Sequence, residues 1–242
     1  MRIPRFYYPQ LSEKDGTVTL PGDVHRHAVQ VLRLKPGATI KLFDGRGLEY
    51  DAELQAVSKR ESTVRLAKLV SRKSESPLSI TLVQGISRGD RMDYTLQKAV
   101  ELGVNRVLPV ITERCNVNLS GSRADKKREH WHGVMVSACE QSGRNMLPEL
   151  AEVQHYETML SKTNQGARLI LDPTAKQGFK TLGKLTDVTL LIGPEGGFSE
   201  SEIQQAVLSG CQSIQFGPRI LRTETAAISA IAVLQMLWGD LG

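Results

Sequence analysis

Cysteine is scarce in this sequence: Cys115, Cys139 and Cys211 are the three among 242 residues. They are odd in number, far apart and never in CxxC pairs, which argues against a disulfide framework and a zinc site. We therefore expect a reducing cytoplasm and no bound metal. Cys139, beside Glu140, is conceivable as a nucleophile, but a buried structural thiol is the more common role.

Long apolar runs and aromatic residues are also scarce. No stretch approaches the roughly 18 apolar residues that a membrane-spanning helix needs, and no apolar signal region opens the chain, so we expect neither membrane insertion nor export. Aromatic residues make up only 5% of the chain. The chain therefore lacks an obvious base-stacking platform for single-stranded nucleic acid. With 40% hydrophobic residues, the chain can still bury a substantial core.

Positive charge is concentrated in the first third of the chain. Residues 1–75 hold fourteen Lys/Arg and nine Asp/Glu, whereas residues 76–242 hold seventeen of each. A basic module attached to a neutral domain is typical of a protein that grips a polyanion, although the same excess also suits an ordinary solvated surface. Alternating apolar residues over 37–42, 48–57 and 62–69, with a helix over 24–31, predict a small β-barrel.

The remaining two thirds alternate between strand and helix patterns. Strands are predicted over residues 78–86, 106–111, 167–171, 188–192 and 213–216, with helices over 90–102, 122–142, 199–209 and 226–238. Ser199 and Glu202 form a capping-box pattern at the start of the third of these helices. This rhythm is typical of a parallel sheet. The linker-like composition of residues 71–77 places the domain boundary there, giving domains 1–72 and 76–242.

Glycine turns close two of the predicted strands. The first has the sequence Gly193-Pro-Glu-Gly-Gly197 and the second begins at Gly217-Pro218. Because ligands of open α/β sheets lie beyond the carboxyl ends of the strands, the two turns indicate a shared pocket; the alternative is that both are simply tight connections. The sequence lacks GxxxxGK[ST], and the first turn has the wrong spacing for GxGxxG, so neither a nucleoside triphosphate loop nor a dinucleotide fingerprint is supported.

The two turns carry a resemblance to a known family. Ile192-Gly-Pro-Glu-Gly-Gly197 and Gly217-Pro-Arg-Ile-Leu-Arg-Thr-Glu-Thr-Ala226 resemble the signature turns of the SPOUT methyltransferases, specifically the RsmE family, which methylates N3 of a uridine in small-subunit ribosomal RNA. The resemblance extends over the whole chain, including Met1-Arg-Ile-Pro-Arg5, Ser87-Arg-Gly89 and Glu140-Gln-Ser-Gly-Arg-Asn145.

The resemblance implies an α/β fold in which a small PUA-like RNA-binding β-barrel precedes a SPOUT domain with a deep trefoil knot. It further implies S-adenosylmethionine as the cofactor, 16S ribosomal RNA within the assembled small subunit as the substrate, and an obligate homodimer. The expected cofactor contacts, carried over onto this sequence, are Leu171, Ile192, Gly193, Gly196, Phe216, Gly217, Leu221 and Arg222. The expected RNA contacts are Arg2, Arg5, Arg33, Arg88, Lys98, Arg114, Arg144 and Asn145.

The chemistry suggests further roles for charged residues in the first turn and in the segment after the second. Methylation at a uracil imide nitrogen requires loss of its proton, and the charge then spreads onto the ring carbonyl oxygens, where a positioned arginine stabilises it. Arg222 or Arg219 is proposed for that role, and Glu195 or Glu224 as the proton acceptor. Glu195 could instead only hold its turn, and Glu224 could only favour a helix N-terminus.

Two other functions remain open from the sequence. The same machinery could act on another ribosomal or transfer RNA nucleotide, because the fold and the cofactor turns do not identify the base. Alternatively, the chain could be a ribosome-associated RNA-binding protein without activity, which would have no reason to bind the cofactor.

Overall fold

The computed structural model describes residues 3–12, 16–70, 75–117, 121–161 and 166–242. The chain forms two compact units. The first comprises residues 1–75 and 139–147, and the second comprises residues 76–138 and 148–242. The first unit thus includes a segment that the sequence analysis assigned to the second domain, and the boundary between residues 72 and 76 stays a prediction.

The first unit contains a five-stranded sheet within the described residues, in the order β1-β3-β4-β5-β2. Its strands are β1 Arg5–Tyr7, β2 Thr17–Thr19, β3 Thr39–Phe43, β4 Glu49–Val57 and β5 Ser62–Leu69. β1 and β3 are parallel and the other neighbours antiparallel. Their apolar side chains form one core with residues of the helical segment, including Phe6, Ala28, Ile40, Leu54 and Val64.

The helical segment of this unit differs from the expected single α-helix. It begins as α1 Gly22–His25 and continues as a π-helix over Arg26–Val31. The turn between β3 and β4 lies between the strands predicted over residues 37–42 and 48–57. There the carboxylate of Asp44 accepts hydrogen bonds from the N–H groups of Arg46 and Leu48, which closes the turn.

The second unit contains a parallel sheet of seven strands in the described part of the chain, in the order β12-β10-β11-β6-β7-β8, with β9 also paired to β7. Its strands are β6 Ser79–Gly85, β7 Arg106–Ile111, β8 Glu149–Leu150, β9 Gln154–His155, β10 Ala167–Leu171, β11 Asp187–Ile192 and β12 Gln212–Ile214. The central strands are buried on both faces, as their nearly continuous apolar runs require. The strand order is consistent with the trefoil knot that the resemblance implies.

The helices connect these strands. They are α2 Asp90–Glu101, α3 Ser122–Ser142, α4 Tyr156–Leu160, α5 Glu200–Leu208 and α6 Thr223–Trp238, with a 3-10 turn at Phe179–Thr181. The predicted capping box of α5 is confirmed, because Ser199 Oγ accepts the N–H of Glu202 and the Glu202 carboxylate accepts the N–H of Ser199. No described helix is both long and apolar enough to cross a membrane.

The last helix starts earlier than the sequence suggested. α6 begins at Thr223 rather than Ala226, with Arg222 as its N-cap in an extended conformation. Glu224 therefore lies in the first turn, where a negative charge is favoured by the helix dipole. The apolar pattern missed this turn because its residues are polar.

Candidate active site

A cavity of about 630 Å³ lies beyond the carboxyl ends of three neighbouring strands of the second unit. β10 pairs with β11 on one side and with β12 on the other, so the loops that follow these strands meet at one edge of the sheet. These loops supply most of the cavity wall, from residues 171–174, 192–198 and 216–221. The two glycine turns of the sequence therefore do share one pocket.

The first glycine turn is packed too closely for a side chain. A Cβ atom on Gly193 would lie 2.8 Å from the backbone carbon of Gly197 and from the backbone nitrogen of Phe198. Real Cβ atoms essentially never come so near to another heavy atom, and these are backbone atoms that cannot rotate away. The position therefore requires glycine.

Two buried side chains fix the carbonyl group of this turn. Thr223 Oγ1 donates a hydrogen bond to the Gly193 carbonyl oxygen at 2.6 Å, and Gln84 Nε2 donates to Thr223 Oγ1 at 3.0 Å. The strand β6, the turn after β11 and the start of α6 are thereby linked in one chain of hydrogen bonds. A chain of buried hydrogen bonds of this kind holds its members in one arrangement, although Gln84 Oε1 is buried without a donor in the described structure.

The second glycine turn forms the opposite wall. Gly217 has a φ of +74°, which a residue with a side chain seldom adopts. Just before it, the Phe216 ring packs edge-on against Phe179 with the ring centroids 5.4 Å apart. Just after it, Ile220 is 88% exposed although it lines the cavity. An apolar side chain left in solvent at the mouth of a cavity is suited to contact a ligand.

Asp172 closes the third strand end and is held as an anion. Burial would raise its pKa, but hydrogen bonds from the Ser213 hydroxyl and from the hydroxyl and N–H of Thr174 lower the pKa below its ordinary value. The carboxylate thus ties the loop after β10 to strand β12. Its acceptor capacity is directed mainly at the protein.

Glu195, in the first glycine turn, is likewise held by the protein. Its carboxylate accepts the Arg88 N–H at 2.8 Å and the Arg91 guanidinium at 3.0 Å. Partial burial would raise the pKa of Glu195, but these hydrogen bonds, together with one from its own N–H, lower it. A carboxylate with a lowered pKa is a weaker base than an ordinary glutamate.

We expect Glu195→Gln to destabilise the protein by about 0.5 kcal/mol near neutral pH, because an exposed ion pair with Arg91 is lost. The pKa of Glu195 in the folded state lies below its ordinary value of 4.5. The stabilisation is therefore fully present above pH 4.5 and is lost as the pH falls through the folded-state pKa. Urea unfolding of the wild type and of Glu195→Gln, at neutral pH and in acid, measures the difference in their free energies of unfolding. A stability difference that grows toward acid would contradict the assignment.

The structure brings most of the expected cofactor contacts together. The cavity wall includes Leu171, Ile192, Gly193, Gly196, Phe216, Gly217 and Leu221. Arg222, which is exposed at the N-cap of α6, is not among the described residues that line it. Of the proposed catalytic residues, Arg219 and Glu195 line the cavity, whereas Arg222 and Glu224 do not. One carboxylate oxygen of Glu224 is buried and has no donor in the described part of the chain.

Three of the expected RNA contacts lie inside the first unit instead of on its surface. Arg5 is only 7% exposed and pairs with the fully buried Glu49 at 2.7 Å. The guanidinium of Arg144 binds Glu75, and the Asn145 amide donates to the Gly47 carbonyl oxygen. Because buried cations need such partners, the guanidinium groups of Arg5 and Arg144 are engaged by carboxylates inside this unit, and the Asn145 amide is engaged by a backbone carbonyl. Their role in RNA binding stays a prediction.

The other expected RNA contacts are more accessible. Arg33 is exposed and makes no ion pair within the described residues, and Lys98 pairs with Glu101 on its own helix. Arg114 lines the cavity and donates to the carbonyl oxygens of Gly196 and Phe198, so it supports the first glycine turn. Arg88 is exposed. Arg2 lies outside the described residues.

Sequence reasoning missed several residues of the site. Asp172, Thr223 and Gln84 were not singled out as functional, although each holds a loop of the cavity. The position of Asp172 directly after a strand, like that of the glycine turns, was a usable signal. Gln84 had no such signal, because a glutamine within an apolar strand is recognised only when its partners are known.

Cys139 has the properties of a structural thiol. It is fully buried, and this burial raises its pKa to about 11. A thiol with so high a pKa is almost entirely protonated near neutral pH and is a poor nucleophile. The three cysteines are all free.

Comparison with known families agrees with this geometry. Residues 74–235 match the family described as the RNA methyltransferase domain, and residues 20–67 match the RNA methyltransferase PUA domain. The first match covers more than half of the chain and contains every residue of the cavity wall.

Similar proteins cover the whole chain. The ribosomal RNA small subunit methyltransferase E of Buchnera aphidicola from Schizaphis graminum is 35% identical over 99% of this chain and 98% of its own length. A protein from Legionella pneumophila, solved with the bound cofactor SAM, is 39% identical over 100% of both chains with a TM-score of 0.96. A ribosomal RNA small subunit methyltransferase E from Neisseria gonorrhoeae, bound to S-adenosyl methionine, is 42% identical over 100% of both chains with a TM-score of 0.94. This chain therefore belongs to the ribosomal RNA small subunit methyltransferase E family.

Proposed function

We propose that the protein transfers a methyl group from S-adenosylmethionine to N3 of a uridine in the 16S ribosomal RNA of the small subunit. One observation carries this conclusion. Both glycine turns and the third strand end enclose a single cavity, in a chain 42% identical to a ribosomal RNA methyltransferase bound to the same cofactor.

The residues of the cavity fit this cofactor. Its volume of about 630 Å³ lies within the usual range for small-molecule sites. Leu171, Ile192 and Leu221 offer apolar surface for a purine, and the close approach of backbone at Gly193 leaves no room for a competing side chain. Backbone groups of the two turns line the same space and can recognise polar edges.

S-adenosylmethionine, when bound, supplies a methyl group on a positively charged sulfur. The protein's contribution to such a displacement is largely positioning, because the acceptor nitrogen must stand in line with the methyl carbon and the sulfur. The hydrogen bonds that Thr223 donates to the Gly193 carbonyl oxygen, and that Arg88 and Arg91 donate to the Glu195 carboxylate, keep the first turn in place. A rigid wall of this kind would hold the bound cofactor in one orientation.

Arg222 and Arg219 are the proposed stabilisers of charge on the uracil carbonyl oxygens. Both are exposed in the second turn region, and neither pairs with a carboxylate in the described structure, so their guanidinium groups remain able to bind an incoming base. Arg219 lines the cavity, and Arg222 follows Leu221, which also lines it. A preorganised donor of this type acts where charge develops in the transition state.

Glu195 and Glu224 stay the candidate proton acceptors. Glu195 lines the cavity, but its lowered pKa weakens it as a base. Glu224 lies in the first turn of α6, outside the cavity wall formed by the described residues. Rates of Glu195→Gln and Glu224→Gln across a range of pH, at saturating cofactor, distinguish them, because only loss of the acceptor removes the rising limb of the profile.

The protein is proposed to act as a homodimer on assembled small subunits in the cytoplasm. α6 packs one face against α2, while Met236 and Leu237 near its end remain exposed on the single chain. Exposed apolar side chains beside a packed helix favour a second subunit. A monomer in light scattering at micromolar concentration would exclude the dimer.

Methyl transfer from labelled S-adenosylmethionine to unmethylated small subunits, with naked ribosomal RNA alongside, tests the function. The modified nucleoside, identified by mass, is expected to be 3-methyluridine, with assembled subunits preferred. Label in a different nucleoside would show that the protein methylates another base by the same chemistry. Cofactor binding without transfer to any RNA would overturn the proposed substrate, and absence of cofactor binding would overturn the enzymatic function.

A further inference from the structure

A second depression, of about 410 Å³, lies at the N-terminal ends of α2 and α3 in the second unit. We refer to it as the α2–α3 depression. Its wall includes the cationic residues Arg88, Arg123 and Lys127 and the apolar residues Ile86, Met92 and Trp131. No aspartate or glutamate is among the described residues that line it. All charged side chains of its described wall are therefore positive.

The three cations are accessible and uncommitted to carboxylates. Arg88, Arg123 and Lys127 are all exposed, and none forms an ion pair within the described ranges. The Arg88 guanidinium makes only long hydrogen bonds of 3.3 and 3.4 Å to the Asn116 carbonyl oxygen. By contrast, Arg91 and Arg128 of the same helices pair with glutamates.

The apolar part of the depression is closed to a nucleobase. Ile86, Met92 and Trp131 are each only 1% exposed, so no ring face is offered for stacking. The accessible surface is consequently the cationic rim. This arrangement favours a phosphate over a base. The indole N–H of Trp131 is also buried without an acceptor in the described structure, which leaves an unmet donor in the wall.

Two helix N-termini meet this rim. Gly89 lines the depression and is the N-cap of α2, which has no side-chain cap, and Arg123 is the second residue of α3. Cations in the first turns of a helix are disfavoured by its dipole. An anion bound there would be stabilised by the cations and by both helix dipoles. It would also offset the unfavourable interaction between the cations and the dipoles.

The α2–α3 depression adjoins the cofactor cavity. The backbone N–H of Arg88, whose side chain lines the depression, donates at 2.8 Å to Glu195, whose side chain lines the cavity. The hydrogen bond between Arg88 and Glu195 thus connects an anion at the rim directly to the wall of the cofactor cavity.

We propose that the α2–α3 depression binds a phosphodiester of the ribosomal RNA strand next to the target uridine, through Arg88, Arg123 and Lys127. This inference rests on the proposed function. Binding there holds the strand so that the neighbouring base enters the cavity. Because phosphate contacts position a nucleic acid without reading its sequence, these residues set placement and affinity, and the base is selected elsewhere.

The test compares R123A/K127A with a matched control, K180A/K184A, which removes two exposed lysines of the same unit that do not line either site. Binding of each full-length protein to unmethylated small subunits is measured over a range of salt concentrations, with cofactor affinity measured by calorimetry. R123A/K127A is expected to weaken RNA binding by about 10-fold and to reduce the log–log salt slope by about 1 to 2. Its cofactor affinity should equal that of the wild type.

An RNA affinity and salt slope for R123A/K127A equal to those of K180A/K184A would overturn the inference, as would failure of the wild type to bind the subunits. RNA binding without methyl transfer by the wild type would instead overturn the proposed function, and the phosphate site would then be supported only if R123A/K127A weakens that binding relative to K180A/K184A. The two ideas therefore fail in different measurements.

Discussion

Replacing Gly193 with alanine is expected to raise the Kd for S-adenosylmethionine by about 100-fold or more, which corresponds to about 2.7 kcal/mol. The added methyl group would lie 2.8 Å from the backbone of Gly197 and Phe198, and it cannot rotate away. The turn must therefore shift, and its shift displaces the Gly193 carbonyl group from Thr223. Calorimetric titration with the cofactor measures the change.

Gly183→Ala is the matched control for this substitution. A Cβ atom on Gly183 meets nothing within 4 Å, and its φ is not in the left-handed region. It should bind the cofactor as the wild type does. Circular dichroism and thermal unfolding establish that Gly193→Ala remains folded at the temperature of the titration. Cofactor binding by Gly193→Ala equal to that of Gly183→Ala would show that the turn can relax and that cofactor binding does not require glycine at position 193.

Replacing Arg222 with alanine is expected to lower kcat by about 100-fold, with the Kd for S-adenosylmethionine changed by no more than about threefold. Arg222 is exposed and lies outside the cavity wall of the described structure, so its loss leaves the cofactor contacts intact. Its guanidinium is proposed to act only when charge develops on the uracil oxygens. Single-turnover rates at saturating cofactor and subunits report this step directly.

Arg219→Ala provides the comparison, because Arg219 does line the cavity. Its loss should affect cofactor affinity as well as rate. If Arg222→Ala weakened cofactor binding and lowered the rate by the same factor, Arg222 would be a binding residue and its catalytic role would be withdrawn. If Arg222→Ala left both unchanged while Arg219→Ala lowered the rate alone, the stabilising role would pass to Arg219.

Local patterns were sufficient to predict the framework of the site. The strands over Arg106–Ile111 and Ala167–Leu171 and the capping box of α5 are encoded by neighbouring residues, and the structure confirms them. The glycine turns identified most of the cavity wall for the same reason, because a strand end followed by glycine is a short-range signal.

Residue roles that depend on distant partners could not be predicted in this way. Arg5 looked like a phosphate contact, but Glu49 lies 44 positions away and buries it in an ion pair. Arg144 meets Glu75 across 69 positions. An arginine on the surface and an arginine paired inside have the same local sequence signal, and only packing distinguishes them.

The sequence by itself determined the longer strands and helices, the position of the two glycine turns and the family, but not the short elements β1, β2, β8, β9 and α4. Only the tertiary structure decided which charges are buried, which remain exposed and which sites adjoin. The contact between Arg88 and Glu195 spans 107 positions and connects the cationic depression to the cofactor cavity. Secondary structure depends on interactions within a few residues, whereas the electrostatic role of a side chain is set by every chain segment that packs around it.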